Sequence, residues 1–140
     1  MTDTPLAARI RASFDSQTMM QTLGGALLHA EPGLVRLAAE VAPHLRQQQG
    51  VAHGGLVFSL ADSAAGYAAL SVMPEGREVM TVEMKINMLA PATGRLIAEG
   101  RVVRSGKRLV VVAAEVWSED GDTRRHVAVL QGTMIPVDVA

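Results

Sequence analysis

One carboxylate in this sequence stands where a carboxylate is costly. Asp62 lies within Leu56-Val57-Phe58-Ser59-Leu60-Ala61-Asp62-Ser63-Ala64-Ala65-Gly66-Tyr67-Ala68-Ala69-Leu70, a run otherwise built of apolar and small residues and opened by Gly54-Gly55. Burial penalises the charged form of a carboxyl, so its pKa is expected to be raised. Glycines at the start of a helix leave backbone N–H groups free to hold an anion or a developing oxyanion. A carboxylate and an oxyanion donor are the least equipment that acyl transfer needs. The first attacks or activates water, and the second stabilises the tetrahedral intermediate. Gln47 adds an amide that can donate to a carbonyl and accept from a water.

Other chemistries fit the residues less well. Ser59 and Ser63 lie on the same helical face as Asp62 and Gly66, but nothing has the G-x-S-x-G form of a nucleophile elbow. His29, His44, His53 and His126 lack metal-type spacing, so no metal is expected. His53, next to the glycine pair, is either a base or a cap of the loop. There is no cysteine for a thiolate nucleophile or disulfide, and no phosphate-cradling glycine motif.

The elements that must position these residues follow from periodicity. Residues 56–73 form the candidate central helix, about 27 Å long at ~1.5 Å per residue, with Pro74 and Gly76 beyond its end. It is apolar nearly all round, so it is either buried on every side or spans a membrane. Asp62, the serines and the diluting Ala and Gly argue against the membrane, so a sheet is expected to wrap it. Ahead of it, residues 5–14 read as a short helix, and Ser16 caps a second one through about Leu23. Together they make a lid or packing arm. Residues 25–31 and 34–42 form a hairpin about Glu31-Pro32-Gly33, and residues 44–55 a polar loop. After the helix come strands at 78–89, 95–104, 107–118 and 124–136, expected to form a four-stranded meander. In the first of these, Thr81, Glu83, Lys85 and Asn87 share the wet face. The fold class is α+β, a curled antiparallel sheet around one helix, as a single domain over 1–140 with a helical arm at 1–23 and a core at 24–138.

Composition sets further bounds. Thirteen Lys and Arg face fourteen Asp and Glu, with no basic patch, so nucleic acid is not an expected partner. The first residues lack a basic-then-apolar signal pattern, which makes the cytoplasm the default expectation. The chain is 49% hydrophobic with two Phe, one Tyr and one Trp, so its core is aliphatic and the excess points to a subunit interface.

The stretch Gly50-Val51-Ala52-His53-Gly54-Gly55-Leu56-Val57-Phe58-Ser59-Leu60-Ala61-Asp62 resembles the hotdog-fold acyl-CoA thioesterases of the phenylacetyl-CoA (PaaI-like) type. In that group an HGG sequence precedes a helix whose acidic residue falls eight positions after the first glycine of the pair, as Asp62 does here. The likeness continues through TVEMKINMLAPATG and RVVRSGKRLVVVAAEV. It implies a five- or six-stranded sheet around the helix, an acyl-CoA substrate, no cofactor, and homodimers assembling to homotetramers with active sites between subunits. Asp62 would be the catalytic carboxylate, acting as nucleophile or base. The Gly54 N–H would polarise the thioester from the partner subunit, and Gln47 would take the place where many relatives have Asn. His53, Gly55 and Thr81 would line the substrate. Met88, Leu89, Ala90 and Pro91, with Lys107 and Arg108, would hold coenzyme A. The acyl pocket is expected to be aliphatic and Met-lined, suiting aryl or medium-chain groups. The alternative from another class is a non-catalytic acyl-CoA-binding hotdog protein. A dehydratase is disfavoured, because the His motif of that chemistry is missing.

Overall fold

A computed structural model describes residues 3–139, so residues 1, 2 and 140 of the expected domain lie outside the described residues. Helix α1 (Pro5–Ser16) starts where Thr4 Oγ1 accepts the Ala7 N–H at 3.0 Å, with Pro5 in the first turn, where its missing N–H costs nothing. It buries Ala7, Ile10 and Phe14. Helix α2 (Thr18–Leu23) ends at Gly24, which takes the left-handed conformation with φ 67°. Ser16 is not the cap expected for it. Its hydroxyl donates back to the Ala12 carbonyl at 2.8 Å, which keeps it inside α1 and leaves Gln17 at the corner.

Strands β1 (Ala26–Glu31) and β2 (Leu34–Glu40) form the expected hairpin, turned by Gly33 at φ 79°. A single 3-10 turn (Pro43–Leu45) and a loop then lead to α3 (Gly54–Leu70). The helix ends three residues before the apolar run does. There the Val72 and Met73 N–H groups close tighter turns onto the Ala69 and Leu70 carbonyls. Leu60, Ala61, Ala64, Ala65, Ala68 and Ala69 have no exposed surface, as an all-round apolar helix requires.

Strands β3 (Arg77–Met88), β4 (Arg95–Ser105), β5 (Val110–Asp120) and β6 (Thr123–Asp138) complete one antiparallel sheet of order β1-β2-β4-β5-β6-β3. The four-strand meander is therefore corrected. β4, β5 and β6 are consecutive neighbours, but β3 pairs with β6 at the far edge, and β4 pairs with β2. The link between β3 and β4 is too long for a tight hairpin and contains Pro91, which has no N–H. It is stitched to the opposite side of the sheet, where its Gly94 and Ala92 carbonyls accept the Val41 and Ala52 N–H groups at 2.7 and 2.8 Å. The expected start of β5 at Lys107 also moves. Gly106 N–H bonds the Leu109 carbonyl at 2.8 Å, so Lys107 and Arg108 occupy a wider turn.

Two features of the sheet position α3. Gly100 on β4 lies directly under the helix, where a Cβ would overlap the backbone of Ala64 and Ala65. Its missing side chain sets how closely helix and sheet approach. On β3 the register to β6 slips between Thr81 and Glu83, a β-bulge at Val82. Before the bulge Val79 packs on the core, and after it Met84 and Ile86 do. The bulge thus changes which parity faces inward, and Thr81 turns in toward α3 rather than sharing the wet face of Glu83, Lys85 and Asn87. As an edge strand, β3 leaves Met80 57% and Val82 54% exposed.

Candidate active site

The start of α3 is closed by its own sequence. His53 Nδ1 accepts the Gly55 N–H at 2.7 Å, and the His53 carbonyl accepts those of Leu56 and Val57 at 2.9 and 3.3 Å. Of the four N–H groups a helix start leaves over, only that of Gly54 has no partner among the described residues. His53 is thus the helix cap, and its acceptor nitrogen is already used. In a neutral ring the proton is on Nε2, which remains as a donor. Gly55 has given its N–H to the cap.

Gly54 lines a cleft of about 400 Å³ that also takes in Gln47, Met88, Leu89, Ala90 and Pro91. Most of its wall is aliphatic, with Val57 and Val127 behind. Gln47 folds back on its loop, its Oε1 taking the Gln49 N–H and its Nε2 lying 3.4 Å from Gln49 Oε1. Arg125 reaches the rim, donating to the Pro91 carbonyl at 3.4 Å. Lys107 and Arg108 are exposed on the turn between β4 and β5 and join none of these clefts.

Asp62 opens onto a different cleft, of about 300 Å³. Thr81 Oγ1 donates to its Oδ1 at 2.8 Å, which is the contact the bulge on β3 creates. Burial holds the Asp62 carboxyl above the usual value of 3.8, and the Thr81 hydrogen bond pulls the other way. Ser63 and Gly66 share this cleft, whereas Ser59, expected on the same stripe, lies near His44 and Gly55 on another. The far wall is contributed by the N-terminal arm through Ser13, Ser16 and Gln17. The expected aliphatic, Met-lined pocket is not what surrounds Asp62. Tyr67 and Glu78 add further polar groups, and Val79 is the one large apolar residue in the lining. Nothing in the periodicity of residues 5–23 marks Gln17 or Ser13, because their roles come from the arm crossing α3 more than forty positions away in sequence.

Asp62 and Gly54 lie eight residues apart on one helix, about 12 Å at the α-helical rise. That is too far for both to act on one carbonyl, since reacting atoms must lie about 3 Å from their partners. Among the described residues no group of three or more His, Asp or Glu could hold a metal ion, and no helix is long and apolar enough to cross a membrane.

Residues 49–124 match the thioesterase superfamily. A candidate esterase of Saccharolobus solfataricus is 38% identical over 94 residues, which span 66% of this chain and 61% of that protein's own length. A candidate esterase of Halobacterium salinarum is 32% identical over 79% of this chain and 76% of its own. Among solved structures, a thioesterase family protein from Silicibacter pomeroyi superposes with a TM-score of 0.93 at 36% identity, covering 96% of this chain and 99% of that one. The E. coli PaaI protein from the phenylacetic acid degradation operon shares the fold, with a TM-score of 0.85 at 23% identity over 94% and 93% of the two chains. The six-stranded curled sheet, its central helix and these matches place the chain in one family: it belongs to the thioesterase superfamily of thioester hydrolases and has the hotdog fold.

Proposed function

We propose that this protein hydrolyses an aryl- or medium-chain acyl-CoA to the free acid and coenzyme A, at a site assembled from two copies of the chain. The observation that carries this reading is the division of labour along α3. A half-buried carboxylate, Asp62, lies toward its middle, and one unpaired backbone N–H, that of Gly54, lies at its start. Strand β3 runs antiparallel to the helix, with Thr81 beside Asp62 and Met88 beside Gly54. If two β3 edges pair antiparallel about a two-fold axis, the Thr81 end of one strand lies alongside the Met88 end of the other. Asp62 then meets Gly54 of the partner subunit. The apolar side chains Met80 and Val82 on that edge give such a pairing surface to bury. Assembly of these dimers to a tetramer is part of the same reading.

In this site the partner's Gly54 N–H donates to the thioester carbonyl oxygen and stabilises the oxyanion. Asp62 removes a proton from a water as that water's oxygen bonds to the carbonyl carbon. Gln47 holds the water. Collapse of the tetrahedral intermediate breaks the C–S bond, and the thiolate leaves with the proton that Asp62 took. Direct attack by Asp62 gives the same products through an anhydride that water then opens. A carboxylate whose pKa is raised by burial is a stronger base than an ordinary one. Met88, Leu89, Ala90 and Pro91 lie beside Gly54, where the pantetheine arm would enter, with Arg125 at the rim for a phosphate. Lys107 and Arg108, exposed on their turn, offer further charge for the nucleotide end.

The test is release of coenzyme A, followed with a thiol reagent, from phenylacetyl-, benzoyl-, hydroxybenzoyl-, hexanoyl- and palmitoyl-CoA. The chain has no cysteine to add background. Turnover is expected on the aryl and medium-chain members, falling by about 10²-fold or more in Asp62→Asn. No turnover with binding retained would favour the non-catalytic acyl-CoA-binding alternative.

A further inference from the structure

The Thr81 hydroxyl has more acceptors around it than it has protons. Its Oγ1 lies 2.8 Å from Asp62 Oδ1 and 3.2 Å from Met134 Sδ. A hydroxyl carries one proton and two lone pairs, so it donates to only one of these at a time. The sulfur is held in place. Met134 on β6 is the cross-strand partner of Thr81, pairs on its other side with Val110 of β5, and has no exposed surface. Its methyl end lies against α3 at Gly66, where a Cβ would stand 3.8 Å from Met134 Cε. Met134 is thus behind Thr81 and does not line the Asp62 cleft.

Which acceptor wins depends on the state of Asp62. An ionised carboxylate only accepts, and a hydrogen bond to a charged group is about twice as strong as one between neutral groups. Thr81 then donates to Asp62, and the sulfur is idle. A protonated carboxyl is a donor. Its O–H can point at Thr81 Oγ1, which then accepts and must turn its own proton elsewhere. Met134 Sδ is an acceptor within reach, weak but polarisable. No proton passes through Thr81 in this exchange. The proton that Asp62 gains stays on Asp62, and the hydroxyl only rotates. Burial already favours the protonated form of Asp62. Nothing else around it duplicates the role. Glu78 on β3 and Tyr67 on α3 are the titratable groups that line the cleft with it, the arm adds the neutral Ser13, Ser16 and Gln17, and no Lys or Arg lines it.

We propose that Met134 is a positioning residue for the Asp62 base: its thioether accepts the Thr81 hydroxyl proton while Asp62 is protonated, so that Thr81 reverses its hydrogen bond as the base loads and unloads. This rests on the acyl-CoA hydrolase reading with Asp62 as the base. Thr81 thereby keeps Asp62 oriented in both of its protonation states.

The experiment replaces the thioether by a hydrocarbon of similar volume, Met134→Leu. Losing the acceptor destabilises protonated Asp62, so the acid limb of kcat/KM is expected to move to lower pH by about 0.5 unit. Thr81→Val is expected to move it the other way. In a Thr81→Val background, Met134→Leu should move the limb no further, because the sulfur acts only through the hydroxyl. Met134→Gln, which returns an acceptor, should restore the limb, and thermal melts report that each variant is folded. The Asp62 carboxyl is also titrated directly by carbon NMR, its signal assigned by its loss in Asp62→Asn. A downward shift there in Met134→Leu, absent in the Thr81→Val background, supports the proposal even if no acyl-CoA turns over, in which case the hydrolase reading falls alone. An unmoved Asp62 titration, or an equal shift in both backgrounds, overturns it and leaves hydrolysis standing.

Discussion

Around Asp62, α3 meets hydroxyls, an amide and a second carboxylate, and one wall comes from a distant arm of the chain. Around Gly54 it meets Val57, Met88, Leu89 and Val127, with the Gln47 amide folded back on its loop and the Gly54 N–H left without a partner among the described residues. In the proposed reaction the first region supplies the base and the second the oxyanion donor. To stabilise the oxyanion of a thioester carbonyl, a fixed dipole suffices. Since about 12 Å of helix separates the two, neither can act alone, and the difference between them is an argument for pairing chains.

The largest expected effect tests that separation. Gly54 is the first helical residue, and His53 before it is extended at φ −62° and ψ 139°, the conformation a following proline requires. Gly54→Pro therefore removes the N–H while keeping the helix, and kcat is expected to fall about 10²- to 10³-fold. Mixing Gly54→Pro chains with Asp62→Asn chains under subunit exchange should then restore about a quarter of wild-type activity, because half of the dimers are mixed and each has one intact site. Mixtures as inactive as either variant would refute the two-chain site.

What both regions share can be broken at Gly100. A methyl group there drives into the backbone of Ala64 and Ala65, so Gly100→Ala should lower stability by about 3 kcal/mol, seen as a lower urea midpoint, and impair both regions together. A smaller change separates them. His53→Ala deletes the bond to the Gly55 N–H, an expected loss of about 1 kcal/mol in chemical denaturation, and should weaken activity through the Gly54 end alone.

The smallest effects are in pH. Between the usual carboxylate value and the raised value of folded Asp62, the native state holds more protons than the unfolded state. Stability contributed by this group therefore falls as pH rises through that window and stays lower above it. Asp62→Asn, whose Oδ1 still accepts from Thr81, should accordingly melt higher than wild type at neutral pH, the difference closing as pH falls toward 3.8. Thr81→Val removes a hydrogen bond that favours the ionised form, so the acid limb of the kcat/KM profile should move to higher pH. An unmoved limb would mean that another group sets it.

The sequence by itself determined the elements and set Asp62 and the glycine pair on one helix. An all-round apolar helix must be enclosed, six β-rich segments supply the enclosure, and Asp62 and the glycine pair fall at a spacing that only helical geometry makes meaningful. Local physics suffices there, because caps, turns and periodicity act within a few residues. Tertiary structure decided what depends on long-range approach. It carried β3 to the far edge, because the link after it is bonded to Val41 and Ala52. It turned Thr81 onto Asp62 through a bulge that the alternation of residues 78–89 does not reveal, since a one-residue slip exists only relative to β6. It also made the surroundings of Asp62 polar, by laying Ser13 and Gln17 across a helix they are distant from in the chain. No pattern along a sequence encodes which of its polar residues will meet, because that depends on how whole elements pack.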